Sequence, residues 1–219
     1  MIPEIKLPNA ILFDWDNTLV DSWVTIHEAL RITFKTLKLE PWTLEQTKIR
    51  VHHSLRNYFP ELFGNDWPTA MQIYLQTFEK LHLQNLNTLP GSEELLKALQ
   101  GKNIYLAIVS NKTGHYLRAE IEHLGWQNYF SSAVGSGDAI RDKPAKEALL
   151  MALSGSQISP DKSVWIVGDS ISDMQIAHNA GCFPVLIRSK APTSGEFGNT
   201  PPACYVPNCS QLIVHINGL

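Results

Sequence analysis

The chain has 219 residues, of which 44% are hydrophobic and 18% charged, and its net charge is −3. That length allows a sizeable core and a small second domain, while no apolar run approaches the roughly twenty residues of a membrane helix. The charge balance and the lack of a long Lys/Arg run give no support for a nucleic-acid surface, and an anionic substrate would need local positive charge.

The first element expected is a strand at Ala10-Ile11-Leu12-Phe13, apolar throughout and so buried on both faces. It runs into Asp14-Trp15-Asp16-Asn17-Thr18. Side chains of a strand repeat every two residues, so Asp14 and Asp16 are expected on one side. Two neighbouring carboxylates repel, which calls for a cation or for a division into one ionised acid and one proton carrier. The next stretch changes character. Trp23, Ile26, Leu30, Phe34 and Leu37 follow helical spacing, as do Met71, Tyr74, Phe78 and Leu81, with no strand between the two sets. A helical insertion over 21–87 is predicted, closed by Leu89-Pro90-Gly91. Residues 1–20 and 88–219 then form the other domain.

From residue 88 onward, apolar runs alternate with helical patterns: strands over 104–109, 133–135, 164–167 and 184–187, with helices ending at Gly125 and Gly181. This is the pattern of an α/β, doubly wound parallel sheet of Rossmann-like type. Ligands of such sheets bind beyond the carboxyl ends of the strands, where the helical insertion would overhang as a lid. Lys190–Pro202 reads as a surface loop before Ala203-Cys204-Tyr205-Val206 and a last short helix. Cys182, Cys204 and Cys209 match neither a disulfide framework nor a zinc pattern and are expected to be reduced. The N-terminus lacks the charged-then-apolar pattern of a secretory leader, so a cytoplasmic location is expected.

Polar clusters sit where these elements meet. Ser110-Asn111-Lys112 ends the 104–109 strand, Lys143-Pro144 opens the next helix, and Gly168-Asp169-Ser170-Ile171-Ser172-Asp173 ends the 164–167 strand. Each has a plain reading when taken alone: Ser110 as a helix cap, Lys143 as a solvated charge, Asp173 as a favourable charge at a helix start, and Asn111 and Lys112 as an exposed turn. Together with Asp14 and Asp16 they supply what phosphoryl transfer requires: a nucleophile, a proton donor, a hydroxyl and a lysine for phosphate oxygens, and carboxylates for Mg²⁺.

In this order and placement the clusters resemble the four motifs of the haloacid dehalogenase superfamily, and within it the phosphoglycolate-phosphatase-like group with a helical cap. The resemblance covers almost the whole chain and extends to Leu19-Val20-Asp21-Ser22, Leu124-Gly125-Trp126 and Ala177-His178-Asn179-Ala180-Gly181. Asn17 stands where that group usually has glycine, and Lys146 where a second proline is common. The resemblance implies a cytoplasmic phosphatase, monomeric or homodimeric, acting on a small phosphorylated metabolite through an aspartyl-phosphate. Asp14 would be the nucleophile and Asp16 the proton donor. Thr18, Ser110, Asn111 and Lys143 would bind the phosphate. Mg²⁺ would be held by Asp14, the main-chain carbonyl of Asp16 and Asp169, with Asp173 a further ligand or an orienter.

Three alternatives keep the same framework. A phosphomutase would return the phosphate to a sugar, and a non-catalytic protein would only bind. A dehalogenase would need neither Asp16 nor the Asp169 cluster. Specificity is expected from the insertion, where Arg50, His52, His53 and Arg56 form the notable basic cluster, either gripping a second acidic group or facing solvent. The other histidines show no metal-ligand spacing.

Overall fold

The computed structural model describes residues 6–51 and 53–219; His52 of the basic cluster lies outside them. β1 (Ala10–Phe13) is buried at every position and has a parallel partner on each side, which explains why it need not alternate apolar with polar residues. The chain then turns sharply. Asn17 takes φ +61°, a left-handed conformation that asparagine tolerates, and the amides of Leu19 and Val20 converge on the Trp15 carbonyl.

After β2 (Val20–Asp21) come α1 (Trp23–Thr36), α2 (Leu44–Arg50), α3 (Leu55–Phe63), a 3-10 turn at Gly64–Asp66, and α4 (Trp67–Leu81). α2 begins with a capping box in which Thr43 and Gln46 satisfy each other's amides. These helices bury an aromatic-rich cluster of their own, including Ile26, Leu30, Phe34, Phe59, Tyr74 and Phe78, which Tyr116 joins from outside. β3 (Asn87–Thr88) then pairs antiparallel with β2, so the outgoing and returning chains cross side by side.

The remaining elements are α5 (Ser92–Gln100), β4 (Tyr105–Thr113), α6 (Gly114–His123), β5 (Ser132–Ser136), α7 (Glu147–Leu153), β6 (Val164–Gly168), α8 (Ile171–Ala180), β7 (Phe183–Ile187), β8 (Cys204–Val206) and α9 (Cys209–Asn217). Six strands form one parallel sheet in the order β5-β4-β1-β6-β7-β8. The two-residue repeat of each strand divides the core cleanly. Ile11, Phe13, Ile108 and Val167 pack toward α5, α6 and α9, whereas Ala10, Leu12, Ala107 and Ile166 pack toward α7 and α8. Because β4 and β6 flank β1, the strand order reverses at β1, and that reversal opens a crevice at the carboxyl ends of these strands.

Two local expectations are corrected. β4 does not stop at Val109 but continues to Thr113 across a register irregularity, so Ser110 and Asn111 are strand residues rather than a cap or a turn. α7 opens at Glu147, with Lys146 at the N-cap; Lys143 lies in the preceding loop, where Ala145 N–H donates to the Asp142 carbonyl. The 190–202 loop is tied down by Phe197, buried against Met174 and Leu186. The three cysteines are free thiols. Among the described residues no helix is long and apolar enough to cross a membrane.

Candidate active site

The crevice at β1 holds most of the residues singled out from sequence. Asp14, Asp16, Ser110, Asn111, Lys143 and Asp169 line one cavity of about 100 Å³. Asp14 follows β1, Ser110 belongs to β4, and Asp169 follows β6, so three adjacent strand ends deliver them to one place.

Lys143 is the centre of the cavity floor. Its side chain is 1% exposed, and its Nζ lies 2.9 Å from Asp14 Oδ1 and 2.7 Å from Asp173 Oδ1. Burial opposes its charge, but the two carboxylates outweigh that penalty and hold its pKa above the ordinary value. A solvated lysine is therefore not what the structure contains. Asp173 is fully buried and both its oxygens are engaged, one by Lys143 and the other by the amide and hydroxyl of Ser170 in the capping box of α8. A side chain at Gly168 would collide with Asp173, since a Cβ there would sit 2.2 Å from its Cγ. Glycine at the end of β6 is what lets α8 bring this acid against the floor.

Carboxylate oxygens of Asp14, Asp169 and Asp173 lie within 4.8 Å of one another. Burial, offset in part by Lys143 and reinforced by Asp173, pushes Asp14 up to about 6. Burial and the charges of Asp14 and Asp173 raise Asp169 well above the usual carboxylate range. Buried acids in this arrangement need a positive charge beyond Lys143 to be ionised together.

Asp16 does not join that cluster. The chain leaves strand geometry at Phe13, and the turn around Asn17 aims the Asp16 carboxylate the other way, toward the Ser22 hydroxyl and Lys112. Lys112 Nζ lies 2.7 Å from Asp16 Oδ1 and 2.6 Å from Glu120 Oε2. Glu120 also accepts from Trp15 Nε1 at 2.7 Å and meets His82 Nδ1 at 3.0 Å. Burial works against ionisation of Glu120, but Lys112, His82 and Trp15 prevail and hold it below the usual range. Thr18 stands apart. It lines a neighbouring cavity with Pro90, Ser189 and Asn208, and its buried Oγ1 has no hydrogen-bond partner among the described residues.

Lys112, Glu120 and His82 form a second charged centre that sequence reasoning missed, apart from leaving Lys112 open between site and turn. The signal was present. Glu120 falls between Leu117 and Leu124 on an apolar helical stripe, and His82 continues the Tyr74–Phe78 stripe by one turn. A charged residue on such a stripe requires a buried partner. The basic cluster divides: the Arg50 guanidinium lies 4.8 Å over the Trp42 ring, while Arg56 makes two 2.6 Å bonds to Asp142, the residue before Lys143. His53 lines the cavity at its exposed rim.

A parallel sheet with acids at the ends of β1 and β6, a hydroxyl on β4 and a buried lysine between them defines the class. The chain belongs to the haloacid dehalogenase-like hydrolases, whose family model matches residues 11–187. It is similar to a phosphoglycolate phosphatase of Aquifex aeolicus, 31% identical over 175 residues that cover 78% of this chain and 80% of that one. It is also similar to a provisionally named pyrophosphatase, PpaX, of Clostridium perfringens, 27% identical across 93% of this chain and 95% of that one. A HAD-superfamily hydrolase of Ehrlichia chaffeensis, known from a crystal structure, is 32% identical, with 99% of each chain covered and a TM-score of 0.68.

Proposed function

We propose that this protein, a phosphoric monoester hydrolase, is a Mg²⁺-dependent phosphatase for a small ester and works through a phosphorylated Asp14. The observation that supports this reading is the division of the two acids: Asp14 against Lys143 and the acidic cluster, Asp16 against Lys112 and Ser22. Asp14 attacks phosphorus, the bond to the ester oxygen breaks with its electron pair, and Asp16 gives that oxygen a proton. In the second half a water attacks the acyl phosphate, Asp16 takes the water's proton, and the Asp14 carboxylate departs from phosphorus, leaving inorganic phosphate. Lys143 orients Asp14 and offsets the approach of an anionic substrate to it. Ser110, on β4, lines the same cavity and would meet the phosphoryl oxygens, with Asn111 beside it on the substrate side.

The donor set fits Mg²⁺, because the buried oxygens of Asp14 and Asp169 repel each other without a further cation. Asp14, Asp169 and the main-chain carbonyl of Asp16 would hold it, with Asp173 serving instead to fix Lys143. When bound, the ion supplies a Lewis acid that offsets charge on the phosphoryl group. The helices between β2 and β3, residues 21–87, act as the cap over this reaction and exclude water from it. The test is a phosphate-release screen over small metabolites with wild type, Asp14→Asn and Asp16→Asn. Normal turnover by Asp14→Asn refutes the covalent step, and normal turnover by Asp16→Asn refutes the proton donor.

A further inference from the structure

We propose that the leaving group of the substrate is uncharged, an alkyl or hydroxyalkyl alcohol rather than a hydroxy acid. This rests on the phosphatase reading, which places the leaving oxygen beside Asp16. On that side the cavity wall is built of Ile26, Val51, Leu55, Tyr74, Leu75 and Phe78. A carboxylate brought under this wall loses water and gains no compensating charge, a costly exchange.

Among the described residues, the lysines and the arginine near this wall are already matched. Lys112 is held between Asp16 and Glu120, and Lys143 between Asp14 and Asp173. Arg56, which by sequence could grip a second acidic group, grips the protein's own Asp142. His53 lies at the exposed rim rather than under the wall. What the described residues leave unpaired under the wall is neutral. The side-chain Nδ2 and Oδ1 of Asn111 are both buried and have no hydrogen-bond partner among the described residues, a donor and an acceptor suited to a hydroxyl or an amide.

The deciding experiment compares phosphoglycolate with phosphoglycolamide, which replaces the carboxylate by a carboxamide of the same shape. For wild type, kcat/KM is expected to favour the amide by at least about tenfold, the usual scale for an unpaired buried charge. Leu75→Arg, which adds a cation to the half-buried wall, should narrow or reverse that preference. A wild-type preference for phosphoglycolate, equal turnover, or turnover of neither overturns the inference. Acetyl phosphate separates this from failure of the underlying reading: cleavage abolished by Asp14→Asn keeps the phosphatase assignment, and absent or Asp14-independent cleavage removes it.

Discussion

Two buried lysines organise the site, and they do so from opposite walls. Lys143 and Lys112 are each almost fully enclosed, and each bridges two carboxylates, Asp14 and Asp173 for one, Asp16 and Glu120 for the other. The Lys143 group is made from the loop before α7 and the α8 cap, on the sheet's own crevice. The Lys112 group is made from β4, α6 and the end of α4, so it draws His82 from the helical segment into contact with the α/β part. The difference teaches how one short motif serves two roles. Asp14 and Asp16 are two residues apart, yet each is fixed by a separate cation in a separate environment.

Removing the first lysine should have the largest effect. Lys143→Met leaves Asp14 and Asp173 buried without their cation, and turnover is expected to fall by about 10³-fold or more, measured as kcat/KM on any accepted ester. Lys112→Met frees Asp16 from one of its two anchors. A loss of about 10²-fold is expected, typical of a misplaced reacting group, with Asp14 phosphorylation still detectable. If the two variants lose activity equally, the division between the walls is wrong.

Glu120→Gln tests the second centre through stability rather than chemistry. Breaking a buried charged pair is expected to cost about 3 kcal/mol at neutral pH, read as a lowered urea midpoint with an unchanged slope. The sign of its pH dependence follows from a carboxyl held below its ordinary 4.5. That contribution is complete above the unfolded-state value and is lost as pH falls through the lower folded-state value. The gap between wild type and Glu120→Gln should therefore close on acidification; a gap that widens would contradict the ion-pair account. Arg56→Ala, which cuts the link from α3 to Asp142, should give the smallest change, about 1 kcal/mol or less in stability because the arginine is partly exposed, with KM rising more than kcat falls.

The sheet half of the molecule is legible in sequence because buried parallel strands read as uninterrupted apolar runs, as at Ala10–Phe13 and Val164–Val167. The Lys143 group was legible for a related reason: its members sit at strand ends and helix starts, where polar residues interrupt an apolar pattern. The Lys112 group was not, because Lys112 and Glu120 lie within elements, His82 caps the end of α4, and the three meet only after α4 folds back on β4 and α6. Asp16 was expected to point with Asp14, and the left-handed turn at Asn17 is part of what turns it away. Arg56 was visible as a charge, but nothing in its neighbourhood along the chain identified Asp142, 86 residues distant, as its partner.

The central claim is that Asp14 carries the phosphoryl group during turnover. The most direct measurement is an acid quench of wild-type protein turning over ³²P-labelled acetyl phosphate, followed by peptide mapping. The account predicts an acid-stable, alkali-labile label on the peptide containing Asp14, absent in Asp14→Asn. Turnover that proceeds with no label, or with the label on another residue, would contradict it.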